Sequence, residues 1–91
     1  MHAVVVRVRV SDVERAQQML ESQVVPQVSS APGFKAGYWT RVKDGGETKG
    51  LSMVVFDSED DARAAADRVQ GMVPETVTLE SVEVREVVAS A

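Results

Sequence analysis

The chain has 91 residues, of which 44% are hydrophobic and 26% are charged, and its formal net charge is −4 at pH 7. These proportions are ordinary for a folded protein and exclude a disordered chain, so a single domain spanning residues 1–91 is expected. The negative charge argues against nucleic acid as a partner, because binding to phosphate backbones depends on clustered Lys and Arg.

Residue counts exclude further kinds of site. The chain has no cysteine and one histidine, His2, which excludes disulfides and thiolate metal sites, and neither a metal nor a cofactor is predicted. No run of residues reaches the ~20 apolar positions that a membrane-spanning helix needs. Arg7 and Arg9 interrupt the apolar amino-terminal segment, which argues against a signal peptide. A cytoplasmic protein without membrane contact is therefore predicted.

The first third of the chain predicts a strand followed by an interrupted helix. Valines at alternate positions of residues 2–10 have the period of a β-strand. Ser11-Asp12-Val13-Glu14 has the pattern of a capping box, so a helix is expected to begin at Ser11. Pro26 has no N–H to donate within that helix and predicts a kink or an end near it.

The second strand is predicted from Phe34 to Lys43, after the Pro32-Gly33 pair. Strict alternation places Tyr38 on the same face as Phe34, toward the helices, and Trp39 on the opposite face. Asp44-Gly45-Gly46 predicts a tight hairpin, because glycine readily adopts the positive φ angles of such turns.

The remaining chain predicts two strands separated by a helix. The third strand is expected over residues 48–56, and Ser58 is the expected N-cap of the helix that follows. The first turn of that helix carries three carboxylates, whose negative charges interact favourably with the positive end of the helix dipole. They belong to Glu59, Asp60 and Asp61. Residues 76–88 predict a long last strand with a break near Glu80-Ser81, where the alternation fails.

The resulting order, β-α-β-β-α-β, predicts an α+β protein with the ferredoxin-like fold, in which a four-stranded antiparallel sheet carries two helices on one face. The other face would then expose apolar side chains to water. A patch of this kind marks an interface, so a homodimer formed through the sheet faces is predicted. The residues expected on this face are Val5, Trp39, Leu51, Met53 and Val55.

Four segments together have the pattern of a known family. They are the first strand, Val25-Pro26, Ala31-Pro32-Gly33-Phe34, and residues 54–60 ahead of an alanine-rich helix. In these segments the chain resembles the antibiotic biosynthesis monooxygenase-like family. The resemblance implies a dimeric α/β barrel with a pocket between sheet and helices in each subunit. It also implies a cofactor-independent monooxygenase acting on an aromatic or quinone-like small molecule.

The haem-degrading branch of that family is not a match. That branch uses an asparagine on the first strand and a histidine that binds iron. This chain contains no asparagine, and its one histidine lies at residue 2. Haem degradation is therefore not expected.

Trp39 and Tyr38 are candidates for contact with a ligand. Trp39 is suited to be a stacking wall for a flat aromatic molecule, or alternatively an apolar plug in the dimer interface. Tyr38 is suited to donate its hydroxyl as a general acid in a pocket on the helix side. The alternative for Tyr38 is a core position with its oxygen at the rim.

Arg7 and Arg41 are candidates for binding an anionic ligand through charge-assisted hydrogen bonds. The alternative for the arginines of the first strand, Arg7 and Arg9, is pairing with Glu80 or Glu83 on the last strand. Catalytic residues stay unassigned at this point. Three functions therefore remain open: the monooxygenase, a non-catalytic small-molecule-binding dimer, and a structural dimerisation domain.

Overall fold

The computed structural model describes residues 1–73 and 76–91, and it contains a four-stranded antiparallel sheet with helices packed on one face. The strands, in the sheet order β2-β3-β1-β4, are β1 (His2–Val10), β2 (Phe34–Asp44), β3 (Glu47–Phe56) and β4 (Val77–Glu86). The helices are α1 (Val13–Met19), α2 (Val25–Ser29) and α3 (Glu59–Met72), and the π-helical segment Leu20–Val24 joins α1 to α2. The α+β class is confirmed, and the arrangement is compatible with the ferredoxin-like fold. Within the described ranges no helix has the length and apolar character needed to cross a membrane.

The two edge strands each contain one interruption of their pairing. On β4, Ser81 lies opposite Arg7 and Leu79 lies opposite Val8, so Glu80 is an extra residue. This bulge is the break that the sequence predicted near Glu80-Ser81. On β2, a second bulge lies at the start of the strand, between Phe34 and Ala36.

The bulge on β2 reverses the predicted facing of the two rare aromatic residues. Phe34 lies opposite Phe56, but Ala36 lies opposite Val55, so one additional residue is accommodated on β2. Every later residue of the strand therefore changes face relative to Phe34. Trp39 packs against the core on the helix side, whereas Tyr38 lies on the open face and is 67% exposed. The predicted facings of Trp39 and Tyr38 were both wrong.

The N-cap of α1 is one residue later than predicted. Asp12 caps the helix by accepting a hydrogen bond from the Arg15 backbone N–H at 3.1 Å. Ser11 has a different role, because its hydroxyl and its backbone N–H both donate to the Thr76 carbonyl, at 2.9 and 2.8 Å. The N-cap predicted for α3 is confirmed, since the Ser58 hydroxyl accepts from the Asp61 N–H at 3.1 Å.

The helix irregularity predicted at Pro26 takes the form of a wide turn just before the proline. The Val25 N–H donates to the Leu20 carbonyl, five residues earlier, as in a π-helix. Pro26 then occupies the first turn of α2, where its missing N–H is tolerated. The helix therefore continues through Pro26 and ends at Ser29.

The core is narrow and is supported mainly by the sheet and α3. Phe56 and Val4 are its largest fully buried side chains, and Ala62 of α3 packs against them. No residue of α1, of Leu20–Val24 or of α2 is buried. This half of the helix layer therefore covers the sheet without filling the space beneath it.

Gly33 lies just before β2 and close to the first turn of α3, and it provides a test of the fold. Its φ angle is +78°, its carbonyl accepts a hydrogen bond from the Asp57 N–H at 2.8 Å, and a Cβ there would overlap the Asp61 carboxylate. We expect Gly33→Ala to lower the free energy of unfolding by about 1–3 kcal/mol, because it combines backbone strain with a steric clash. Urea denaturation followed by circular dichroism measures the change.

Gly71→Ala is the matched control for that substitution. Gly71 lies in α3 and has no positive φ angle, and, apart from its own neighbours in the helix, no atom of the described residues lies within 4 Å of the position that an added methyl group would occupy. Its replacement is expected to leave the stability unchanged or to raise it by up to ~1 kcal/mol. An equal loss of stability in both variants would contradict the role assigned to Gly33.

Candidate ligand-binding cavity

A cavity of about 580 Å³ lies between the sheet and the helix layer. Its floor is the inner face of β1, β2 and β3, and its walls come from α1, Leu20–Val24 and α2 on one side and from α3 on the other. Small-molecule sites in proteins typically measure about 300–1,000 Å³. The space therefore suits one small organic molecule.

Trp39 lines the cavity, and its indole ring leans along β2 over Gly37. A Cβ at Gly37 would lie 2.8 Å from the Cη2 atom of that ring, so the glycine provides the room in which the indole lies. At the start of the same strand, Phe34 meets Phe56 edge-on, with ring centroids 6.3 Å apart. Ser52, the partner of Trp39 on β3, also lines the cavity. A flat apolar surface thus lies beside a hydroxyl group.

Arg41 lies at the rim of the cavity, where a short chain of hydrogen bonds positions it. Its Nη1 donates to the Gln17 Oε1 at 3.1 Å, and the Gln17 Nε2 donates to the Glu21 Oε1 at 2.8 Å. Because Glu21 accepts from the amide nitrogen, the amide oxygen of Gln17 is oriented toward Arg41. These bonds connect β2 to α1 and to the π-helical segment.

Most of the lining is aliphatic, with valines from β1, the π-helical segment, α2 and α3. Among the described residues the lining contains no carboxylate, imidazole, thiol, lysine or phenol, so it offers apolar contact and hydrogen bonds but no side chain that exchanges a proton near pH 7. Elsewhere in the described ranges no three metal-ligating side chains gather. The lining residues with polar side chains on the helix side of the sheet are Gln17, Gln27, Arg41, Ser52 and Arg68.

The cavity brings together two of the four predicted site residues, Trp39 and Arg41. Tyr38 and Arg7 lie on the open face, where they are opposite Met53 and Leu51 of β3. The placement of Tyr38 in a pocket on the helix side was wrong, and the sheet separates Arg7 from Arg41.

The alternative considered for the arginines of β1 is found for Arg9. Its Nε lies 3.9 Å from the Glu80 Oε2, and both side chains are partly exposed. Arg7 does not take part in any of the ion pairs described for this structure. An exposed pair of this kind contributes little to stability, typically ~0–1 kcal/mol.

Sequence reasoning missed Gln17, Ser52 and Arg68 as site residues. Ser52 carries a usable signal, because it is a polar residue at an inward position of the strand that buries Val54 and Phe56. Arg68 is an exposed residue next to Val69 on α3, and its sequence neighbours do not show that it borders a cavity. The role of Gln17 depends on Arg41, which is 24 residues away, and has no local signal.

Neither the models of known protein families nor the curated protein sequences match this chain. The resemblance to the antibiotic biosynthesis monooxygenase-like family therefore stays a prediction.

Gly37→Ala tests the position of the indole ring. The added methyl group must displace the Trp39 ring from over the strand, with an overpacking cost of typically ~1–3 kcal/mol. Because Trp39 is the only tryptophan, we expect a shift of the emission maximum and a changed acrylamide quenching constant. Gly71→Ala adds the same methyl group in open space and should leave both unchanged. Identical spectra for the wild type and Gly37→Ala would show that the ring lies elsewhere.

Proposed function

We propose that the protein is a homodimeric, ferredoxin-like α/β-barrel protein that binds a flat, largely apolar small molecule, aromatic or quinone-like, in the cavity of each subunit. The observation that carries this proposal is the 580 Å³ cavity with Trp39 in its wall. Burial of apolar ligand surface contributes about 25 cal/mol per Å². Contact with an aromatic face adds about 0.5–1.5 kcal/mol.

The open face of the sheet supports the homodimer. Tyr38, Val42 and Met53 are 67%, 60% and 46% exposed on it, and Leu51 is 39% exposed. A standard interface buries ~800 Å² on each partner. A second copy packed sheet to sheet would remove this apolar surface from water.

For the reaction, we propose the cofactor-independent oxidation that the family resemblance implies. In such a reaction a ring CH₂ group becomes a carbonyl, O₂ supplies the new oxygen atom, and the other oxygen atom leaves as water with the two hydrogens. The ligand thus provides all four electrons. The supporting observation is Arg41, because a guanidinium beside a phenol or enol favours its ionised form. The ionised form gives an electron to O₂ more readily than the neutral one.

The second candidate is a binding dimer without catalysis. It is supported by the described lining, which offers hydrogen bonds but no side chain suited to proton transfer. In this case the cavity stores, carries or senses its ligand. The two candidates share the binding site and differ only in turnover.

A panel of naphthols, hydroquinones and anthrones tests the binding site and the reaction together. Calorimetry measures binding, and an oxygen electrode measures turnover. Trp39→Ala is expected to weaken binding roughly tenfold, because it removes the aromatic wall. Tyr38→Ala removes a similar ring from the opposite face and should have no such effect.

The outcomes of the panel separate the candidates. Oxygen uptake with product formation supports the monooxygenase, and binding without uptake supports the binding dimer. If no compound binds, or if Tyr38→Ala weakens binding as much as Trp39→Ala does, the cavity is not the site.

Met53→Lys tests the homodimer. Met53 lies between Val5 and Tyr38 on the open face, so each subunit would bury a charge in a sheet-to-sheet interface. Light scattering is expected to give about twice 9.8 kDa for the wild type and a monomer for the variant. Ala64→Lys, which adds the same charge to an exposed position of α3, should remain dimeric. A monomeric wild type at micromolar concentration would disprove the interface.

A further inference from the structure

Both charged side chains that line the cavity are cations. Arg41 comes from β2 and Arg68 from α3, and the described lining contains no carboxylate. The chain as a whole has 14 acidic and 10 basic residues and a net charge of −4. The cavity thus has the opposite charge to the protein that surrounds it, which favours an anion inside it.

The two arginines come from different walls of the cavity. Arg41 lies opposite Gly50, and Gly50 lies opposite Val8 near the end of β1. The helix α3 starts after Phe56, at the other end of the sheet, and Arg68 lies in its second half. The indole of Trp39 leans over Gly37, away from Arg41 along β2, and Phe56 also lines the cavity. The lining therefore combines two cations with aromatic side chains.

The hydrogen-bond partner of Arg41 positions the guanidinium without neutralising it. Gln17 is uncharged and accepts one N–H, which leaves most of the five guanidinium donors for another acceptor. The carboxylate of Glu21 contacts the far side of the Gln17 amide. Neither cavity arginine takes part in the ion pairs described for this structure, whose cations are Arg9, Lys35, Lys49, Arg63 and Arg85.

We infer that the ligand is an amphipathic aromatic anion, whose charged oxygen group is bound by Arg41 and Arg68 while its rings lie against Trp39. This inference rests on the proposed binding function and adds the charge class of the ligand. Charge-assisted hydrogen bonds from the guanidinium groups hold the anionic oxygens. Gln17 is a positioning residue that keeps Arg41 at the rim.

Two fluorescent probes with the same aromatic skeleton test the inference on the full chain. 1-Anilinonaphthalene-8-sulfonate carries a sulfonate, and N-phenyl-1-naphthylamine does not. We expect the sulfonate to bind at least about tenfold more tightly at low salt, and this preference to fall as salt screens the charges. Energy transfer from Trp39, the only tryptophan, shows whether a probe lies in the cavity.

The variants Arg41→Gln and Arg68→Gln test whether these two arginines cause the preference for the sulfonate probe. Each is expected to lower the ratio of the two affinities about fivefold, because each removes one cation from the rim. Arg63→Gln is the matched control, since Arg63 lies on the same helix as Arg68, pairs with Glu59 and does not line the cavity. It should leave the ratio unchanged.

The results distinguish failure of this inference from failure of the proposed function. If both probes quench Trp39 and bind equally in all variants, the cavity binds ligands but has no preference for anions, and the inference is wrong. If Arg63→Gln lowers the ratio as much as the rim variants do, the assignment to Arg41 and Arg68 is overturned. If neither probe quenches Trp39, the cavity is not a ligand site and the proposed function fails as well.

Discussion

One additional residue at the start of β2 determines which side chains of that strand reach the cavity. The residue is Lys35, which lies between Phe34 and Ala36 at the bulge and whose Nζ is 3.1 Å from the Asp57 Oδ1. Because the side chains of a strand alternate, a shift of one position exchanges its two faces. Without the bulge, Trp39 and Arg41 would point to the open face, and Arg41 would be unable to contact Gln17. The aromatic wall and the rim cation thus depend on the same local irregularity.

The cavity also depends on how unevenly the helices pack. The helix α3 presents alanines to the sheet and lies close to it, with Ala62 fully buried. The continuous helical stretch of α1, Leu20–Val24 and α2 has no buried residue, so a volume remains between it and the sheet. Empty apolar volume lowers stability, because its lining loses dispersion contacts. A ligand that fills this volume would stabilise the fold in proportion to its affinity and concentration.

Local sequence patterns predicted most of the fold, and contacts between distant residues account for the errors. The hairpin at Gly45-Gly46, the Ser58 cap and the break at Glu80 follow from neighbouring residues. The facing of β2 does not, because the bulge becomes visible only when Phe34 is paired with Phe56. The N-cap of α1 is Asp12 instead of the predicted Ser11, because Ser11 donates its hydrogen bonds to a carbonyl 65 residues away.

The same distinction applies to the candidate site. Trp39 and Arg41 stand out by residue type and were predicted from the sequence as candidates, and both line the cavity. The contribution of Gln17 requires knowing that α1 passes over Arg41, and that of Arg68 requires knowing which side of α3 borders the cavity. These facts belong to the packing of three elements, and no single segment contains them.

The π-helical segment gives the protein a way to change its cavity during evolution. A π-helical turn is equivalent to one residue inserted into an α-helix, and Leu20 and Val24, at the two ends of this segment, both line the cavity. The wide turn absorbs that residue locally, so α1 and α2 keep their orientation over the sheet on either side of it. Loss of one residue there would return the segment to an ordinary α-helix and change the cavity wall between Leu20 and Val24, while leaving α2, the sheet and its open face in place. The shape of the cavity can therefore diverge among descendants of this chain by a single deletion in a helix, without loss of the surface proposed to hold two copies together.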